Sequence, residues 1–199
     1  MVVALLSSAC SVFGVRTAEE ASYEVVRTDG SFEIRDYARI VVAETRVDGE
    51  RSDTENRAFF RLFDFIQGEN AASQKIEMTA PVFQESTGEK IAMTAPVLQS
   101  KDAEGWTMSF VLPAGFTLEN APQPTNENVV LREVAETRFA SIRFSGLRSA
   151  STVEEKTASL RAWIAEQGLT EVSPARIAAY DPPFTLPFLR RNEVLIEVR

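Results

Sequence analysis

The feature that most constrains the fold is an internal repeat, in which two similar segments lie about a hundred residues apart. Residues 32–49 (FEIRDYARIVVAETRVDG) and 129–146 (VVLREVAETRFASIRFSG) align without a gap and are identical at five positions. Each segment is rich in strand-forming residues and ends in glycine. A Ser-x-x-Glu capping box and an amphipathic helix pattern follow each glycine. This matched order predicts a tandem duplication of a strand–strand–helix unit.

Each unit contributes one predicted helix, over residues 52–67 in the first and 151–167 in the second. Ser52 and Ser151 are the predicted N-caps, because a glutamate follows each of them three residues later. The apolar face of the first helix combines four residues at helical spacing: Phe59, Leu62, Phe63 and Ile66. Two such units can pool their strands into one antiparallel sheet or open barrel that two helices cover. The predicted fold class is therefore α+β.

Composition excludes several kinds of function. The 199 residues are 44% apolar and 25% charged, which is typical of a globular domain that needs no disulfide or metal to fold. The chain has no histidine, which excludes Ser-His-Asp catalysis, imidazole zinc sites and a histidine ligand to haem iron. The net charge of −8 argues against a nucleic-acid partner. No motif of an enzyme active site is present, so we predict a protein that is not an enzyme.

The first 21 residues differ from the rest of the chain. A short apolar run over residues 2–6 precedes small residues and the only cysteine, Cys10, and it is far too short to span a bilayer. This arrangement resembles a bacterial signal peptide with a lipoprotein site, where the cysteine is acylated after cleavage. We expect residues 1–21 to direct export to the cell envelope, with membrane contact only through lipidated Cys10. The alternative is a cytoplasmic protein with an uncleaved tail and a free thiol.

Four motifs together resemble the SOUL haem-binding protein family over residues 22–199. They are FxRLFDFIQGEN, the doubled KIxMTAPV, WTMSFVLP and the closing YDPPFTLPFLRRNEV. The resemblance implies a domain of two βαββ-like units that form a distorted antiparallel β-barrel flanked by two main helices. That fold is similar to the effector-binding domains of bacterial drug-sensing regulators. The implied function is non-covalent, non-catalytic binding of haem or a related tetrapyrrole in a hydrophobic site beside the first helix.

The first helix carries the candidate residues for that site. Its phenylalanines are predicted to form an aromatic wall for a flat ligand: Phe59, Phe60, Phe63 and Phe65. Two arginines on the far side from the apolar face, Arg57 and Arg61, are candidates for hydrogen bonds to propionate groups. The simpler alternative is that the phenylalanines make a wide core face and the arginines are solvated.

The closing motif supplies a second set of candidates. Phe184 and Phe188 are expected at the rim of the pocket together with Tyr180, and Arg190 or Arg191 is expected to pair with an anion. The alternative is a rigid turn that only positions the last strand. Without histidine, an iron ligand would come from a thioether or a phenol, and the candidates are Met78, Met93, Tyr37 and Tyr180. Core packing is the alternative for the methionines.

Three other functions remain open at this point. The chain could bind other flat hydrophobic molecules, as drug-sensing effector domains do. It could be an enzyme that removes the metal from tetrapyrroles, with Glu, Asp, Tyr or Lys as its proton donor. It could also be a protein-interaction module that uses exposed aromatic residues. We expect a monomer whose partner is a small hydrophobic ligand.

Overall fold

The computed structural model describes residues 18–48, 51–71, 88–102, 105–182 and 184–199. Two α-helices lie within these ranges, α1 (Arg51–Gln67) and α2 (Ala150–Glu166). The strands are β1 (Tyr23–Asp29), β2 (Phe32–Tyr37), β3 (Ile40–Val47), β4 (Asn70–Ala71), β5 (Val97–Asp102), β6 (Gly105–Val111), β7 (Gln123–Pro124), β8 (Val129–Val134), β9 (Thr137–Phe144), β10 (Arg176–Ala179) and β11 (Asn192–Glu197). Within the described residues, neither helix has the length and apolar character needed to cross a bilayer.

The sheet topology follows the duplication. Strands β2 and β3 in the first unit correspond to β8 and β9 in the second, at the spacing of the aligned segments. Among the described residues, the main sheet is antiparallel with the order β1-β2-β9-β11-β10-β5-β6-β3-β8. Apart from β1, this order is symmetric about its middle. If β2 is exchanged with β8, β3 with β9, β5 with β10 and β6 with β11, the same order is obtained in reverse. The predicted α+β fold of two related units is confirmed.

Each unit places its first strand beside the second strand of the other unit. β2 pairs with β9, and β8 pairs with β3, although only residues 38–39 separate β2 from β3 and only residues 135–136 separate β8 from β9. The chain therefore crosses from one side of the curled sheet to the other at both short links. This exchange joins the two units into one half-barrel, which is the predicted distorted barrel.

The helices begin at slightly different residues from those predicted. α1 starts at Arg51, one residue before the predicted cap Ser52. The N-cap of α2 is Ser149 and not Ser151. Ser149 has extended backbone angles, and its hydroxyl accepts a hydrogen bond from the Thr152 N–H at 3.2 Å. The capping hydroxyl is therefore supplied two residues earlier than the Ser-x-x-Glu pattern indicates.

Both helices cover the same face of the sheet. Residues that are opposite one another in neighbouring strands share a face. One such row joins the α2 side to the α1 side through Val194, Ile177, Gln99 and Met108. α2 packs on β9 and β11, and α1 packs on β3 and β6, so β10 and β5 lie between the helices. The other, concave face of the half-barrel has no helix on it among the described elements.

Candidate functional site

The start of α1 is tied to the chain just before α2. The Glu55 carboxylate accepts hydrogen bonds from Gln99 Nε2 at 3.0 Å and from the Arg148 guanidinium at 3.4 Å. Arg148 also donates to Asn192 Oδ1 at 3.4 Å in β11. The side of α1 that bears Glu55 therefore faces the middle of the sheet and the start of α2. The role of Arg148 is not predictable from the sequence, because a single arginine outside every motif gives no signal.

Four phenylalanines follow Glu55 along α1, beginning one helical turn after it, and the rings of three of them contact one another. The rings of Phe59 and Phe63 are nearly parallel, with centroids 5.8 Å apart, and the Phe60 ring meets Phe59 edge-on at 5.8 Å. Phe59 and Phe63 are half-buried, whereas Phe60 is 58% exposed. We call Phe59, Phe60 and Phe63 the aromatic row. It gives α1 a strip of apolar ring surface that reaches the solvent.

Phe65 lies in the hydrophobic core and not in the aromatic row. Its side chain is 1% exposed and packs with Leu62 and Ile66 under α1. The buried face of α1 is therefore rotated towards Phe65 relative to the predicted apolar face. Phe59 and Phe63 lie at the margin of the buried face. Since Phe65 is enclosed by the core, it presents no surface to a ligand in this structure.

Arg57 and Arg61 both lie against the end of β3. Arg57 donates a hydrogen bond to the Asp48 carbonyl at 3.0 Å, and Arg61 donates to the Arg46 carbonyl at 3.3 Å. Both side chains start from the helix that carries the aromatic row. A guanidinium group has five N–H donors, so each of these arginines can also meet an anion next to α1.

The closing motif forms a loop that contains a short 3₁₀ helix, Pro187–Leu189. Phe184 and Phe188 extend from this loop and are 59% and 70% exposed. The Arg190 guanidinium donates to the Thr185 carbonyl at 2.7 Å, which fixes it against the loop backbone. The loop therefore displays two aromatic rings.

Backbone and side-chain hydrogen bonds connect this loop to the segment before α2. The Gly146 N–H donates to the Pro187 carbonyl at 2.8 Å, and Asn192 Nδ2 donates to the Gly146 carbonyl at 3.1 Å. Arg148, two residues further on, reaches Glu55 at the start of α1. One chain of hydrogen bonds thus joins the loop that carries Phe184 and Phe188 to the helix that carries the aromatic row.

Tyr37, Tyr180 and Arg191 belong to a buried ionic network on the concave face. Glu193 is fully buried and forms a bidentate ion pair with Arg35, at 2.6 and 3.0 Å. The Tyr180 hydroxyl donates to Glu193 at 2.8 Å, and Arg191 Nε donates to it at 2.9 Å. Arg35 donates in turn to the Tyr37 hydroxyl at 3.2 Å. Every oxygen of the Glu193 carboxylate is therefore engaged by the protein itself.

The protonation states in this network are set by burial and by the ion pairs. Burial would raise the pKa of Glu193, but the Arg35 and Arg191 guanidinium groups hold that pKa below its usual value. Burial raises the pKa of Tyr37 and of Tyr180, and the Glu193 charge raises the pKa of Tyr180 further. Both phenols are therefore protonated at neutral pH. A tyrosinate ligand to iron needs the opposite shift.

The predicted iron ligands differ in where they lie. Met93 is 40% exposed, whereas the two phenols are enclosed in the ionic network. Met78 and Cys10 lie outside the described residues. Within the described ranges, no group of three or more acidic, cysteine or histidine side chains is arranged to hold a metal ion. The structure therefore groups Phe59, Phe60 and Phe63 on α1 and places Tyr37 and Tyr180 in a separate buried network.

The fold defines a class of protein, a duplicated α+β half-barrel with two helices on one face of the sheet and a concave face on the other. In this chain the first of those helices carries the aromatic row. Sequence comparison gives the family. The profile of the SOUL heme-binding proteins matches residues 18–197. The chain belongs to this family, as its motifs predicted.

A curated relative and several solved structures are similar to the chain. Heme-binding protein 2 from Homo sapiens is 28% identical over 201 residues, which cover 89% of this chain and 88% of the relative. The C-terminal domain of EcmrR has a TM-score of 0.56 at 10% identity and covers 89% of this chain and 98% of that chain. A hydrolase from Listeria innocua has a TM-score of 0.55 at 13% identity, with 87% and 94% covered. At these identities the two structures show the shared fold alone.

Proposed function

We propose that the chain binds haem or a related tetrapyrrole non-covalently, on the aromatic row of α1, and does not act on it as an enzyme. Family membership supports tetrapyrrole binding in general, and the human relative is named as a heme-binding protein. The observation that carries the position is the aromatic row itself. Flat ring surface that reaches the solvent on a rigid helix matches the face of a porphyrin.

The residues around the row fit the ring better than they fit the iron. Phe59 and Phe63 supply parallel rings, and Phe60 supplies an exposed one. Arg57 and Arg61 extend from the same helix and suit the negatively charged propionates through charge-assisted hydrogen bonds. No histidine is available in the sequence to ligate the metal. In this proposal apolar contact holds the tetrapyrrole, and any metal chemistry would be that of the bound group and not of a protein ligand.

The loop of the closing motif would form the second wall of the site. Among the aromatic residues that the structure describes, Phe184, Phe188 and Phe60 are the most exposed, and hydrogen bonds through Gly146 and Arg148 connect the loop to α1. Arg190 is the basic residue of this loop closest in sequence to Phe188. Arg191 is engaged by Glu193 and Glu20, so we leave it out of the ligand contacts. We leave out Phe65 and Tyr180 as well, because both are buried.

Titration of the full chain with haemin, followed by absorbance, tests this function. We expect saturable binding at micromolar haemin with one equivalent at the end point. Prolonged incubation should leave the haem spectrum intact, because the proposal includes no chemical step. Loss of the iron from the bound haem would replace this proposal with the metal-removing enzyme. Absence of saturation would overturn tetrapyrrole binding altogether.

We further propose that Cys10 anchors the protein in the cell envelope after residues 1–9 have been removed. One acyl chain gives only marginal membrane binding, so stable attachment requires more than one chain. Mass spectrometry of the protein isolated from its native host should find an N-terminal, acylated Cys10. A chain that still begins with Met1, or that carries an unmodified Cys10 thiol, would contradict the anchor.

A further inference from the structure

A second concavity lies on the face of the sheet opposite the helices. It is a cavity of about 230 Å³ lined by residues of β2, β3, β5, β6, β8, β9, β10 and β11. Ala38 and Ala135, one from each of the two crossing links, lie in its wall. The two alanines occupy equivalent positions of the internal repeat. The strand exchange between the units therefore encloses a site that the aromatic row on α1 does not share.

One part of this cavity is polar and basic. A row of paired positions crosses the sheet there, from Arg176 through Ser100 and Thr107 to Arg46. Arg132 completes a set of three arginines in the lining, against the single carboxylate Glu44. The lining thus contains more basic than acidic side chains, in a protein whose net charge is −8. Such a local excess favours an anionic ligand.

The Glu44 charge is already neutralised inside the cavity. Its Oε2 atom accepts hydrogen bonds from Arg132 at 2.7 Å and from the Ser109 hydroxyl at 3.0 Å. Glu44 and Arg132 therefore form a pair, and Arg176 is not part of this hydrogen-bonded pair. This pair also places a second guanidinium group at the cavity wall.

Arg176 is half-buried and has no hydrogen-bond acceptor among the described residues. Its guanidinium carbon lies 5.3 Å from the centroid of the Phe139 ring, which supplies only a cation–π contact. Burial lowers the pKa of Arg176, and the neighbouring Arg132 lowers it further. An arginine side chain still stays charged under these conditions. The charges of Glu197 and Glu44 raise the pKa of Arg176, but they do not outweigh burial and Arg132. A half-buried cation without a hydrogen-bond acceptor is costly, and an anion bound directly to it lowers that cost.

The rest of the cavity is apolar. Aliphatic and aromatic side chains line it beside Arg176: Val42, Leu98, Val111, Phe139 and Leu195. These side chains face the cavity because they alternate along their strands with the residues of the helix-covered cores. The volume is below the roughly 300 Å³ at which pockets for drug-sized ligands begin, so a tetrapyrrole is too large.

We propose that this cavity is a second binding site, for a small apolar carboxylate such as a one-ring or short branched-chain acid. The carboxylate would form a bidentate ion pair with Arg176, as planar carboxylates do with guanidinium groups. The hydrocarbon part would rest on Phe139 and the aliphatic side chains beside it. This site is independent of tetrapyrrole binding, because it lies on the other face of the sheet.

Three one-ring probes that differ in charge test the proposal on the unmodified full chain. We expect benzoate to bind at least tenfold more tightly than benzyl alcohol or benzylamine in calorimetric titrations, because hydrogen bonds to a charged group discriminate strongly. Equal binding of the three probes, or no benzoate binding at millimolar concentration, would overturn the proposal. Neither result depends on whether haemin binds.

Substitutions of Arg176 test where the benzoate carboxylate binds. Arg176→Gln should weaken benzoate binding at least tenfold and leave benzyl alcohol unchanged, while Arg176→Lys should restore part of the affinity. Arg161→Gln is the matched control, since Arg161 lies on α2 and pairs with Glu171. Circular dichroism establishes that each variant is folded before its binding is compared. If Arg176→Gln and Arg161→Gln bind benzoate equally well, the proposed ion pair does not exist.

Discussion

Replacing Glu193 with alanine is expected to lower the free energy of unfolding by about 3–5 kcal/mol, the usual cost of removing one partner from a buried ion pair. Glu193 is fully buried, and its loss leaves Arg35, at 2% exposure, with only the partly exposed Glu33 carboxylate as a counter-charge. Domains of this kind have only about 5–15 kcal/mol of stability in total. Urea denaturation followed by circular dichroism gives the change directly.

The matched control for this variant is Glu171→Ala. It breaks the ion pair with Arg161, whose side chain is 52% exposed, and should cost about 0–1 kcal/mol. If Glu193→Ala does not fold, Glu193→Gln keeps the shape of the side chain and gives a measurable midpoint. A loss below 1 kcal/mol in both Glu193 variants would show that the network contributes little to stability.

The same carboxylate gives the stability a definite pH dependence. Arg35 and Arg191 hold the pKa of Glu193 below its usual value, so the unfolded chain takes up the proton first as the pH falls. The contribution of Glu193 is therefore complete well above the usual glutamate pKa of about 4.3, and it is lost progressively as the pH falls from there through the lower pKa of the folded state. The Glu193→Gln variant should lack this part of the acid-induced destabilisation.

Replacing Phe60 with glutamate is expected to weaken haemin binding by about 30-fold while leaving the fold intact. Burial of a phenylalanine side chain contributes about 2 kcal/mol, and a carboxylate in its place also repels the propionates. Phe60 is 58% exposed in the free protein, so the substitution removes little from the core. Absorbance titration with haemin measures the change.

Val26→Glu is the control for this substitution. Val26 is 51% exposed and lies on β1, at the edge of the sheet farthest in strand order from β3 and β6, on which α1 packs. The Val26→Glu substitution introduces the same charge at similar exposure and should leave the affinity for haemin unchanged. Equal loss in both variants would indicate a general charge effect and would remove Phe60 from the site.

The repeat in the sequence was sufficient to predict the fold class and the relation between the units. Residues 32–37 and 129–134 are strands in the structure, and so are 40–47 and 137–144, at the spacing of the alignment. A repeated hydrophobic pattern carries this information because it records which residues each unit buries. It does not record which strands pair, and so the exchange of first strands between the units could not be predicted.

The site residues were predictable only where local pattern determines exposure. Helical spacing grouped Phe59 with Phe63, but the angle at which α1 lies on the sheet decides that Phe65 is buried and Phe60 exposed. Glu193 and Arg35 are 158 residues apart, and no local pattern connects them. The same holds for Arg176, whose position in the cavity depends on strands from both units.

Parallel titration of the full chain with haemin and with iron-free protoporphyrin IX tests the central claim most directly. If the aromatic row holds the ring by apolar contact, the two dissociation constants should agree within about threefold, because the ring carries most of the contact area. Saturable binding of haemin without binding of the iron-free ring would contradict the claim, since it would require a protein ligand to the iron.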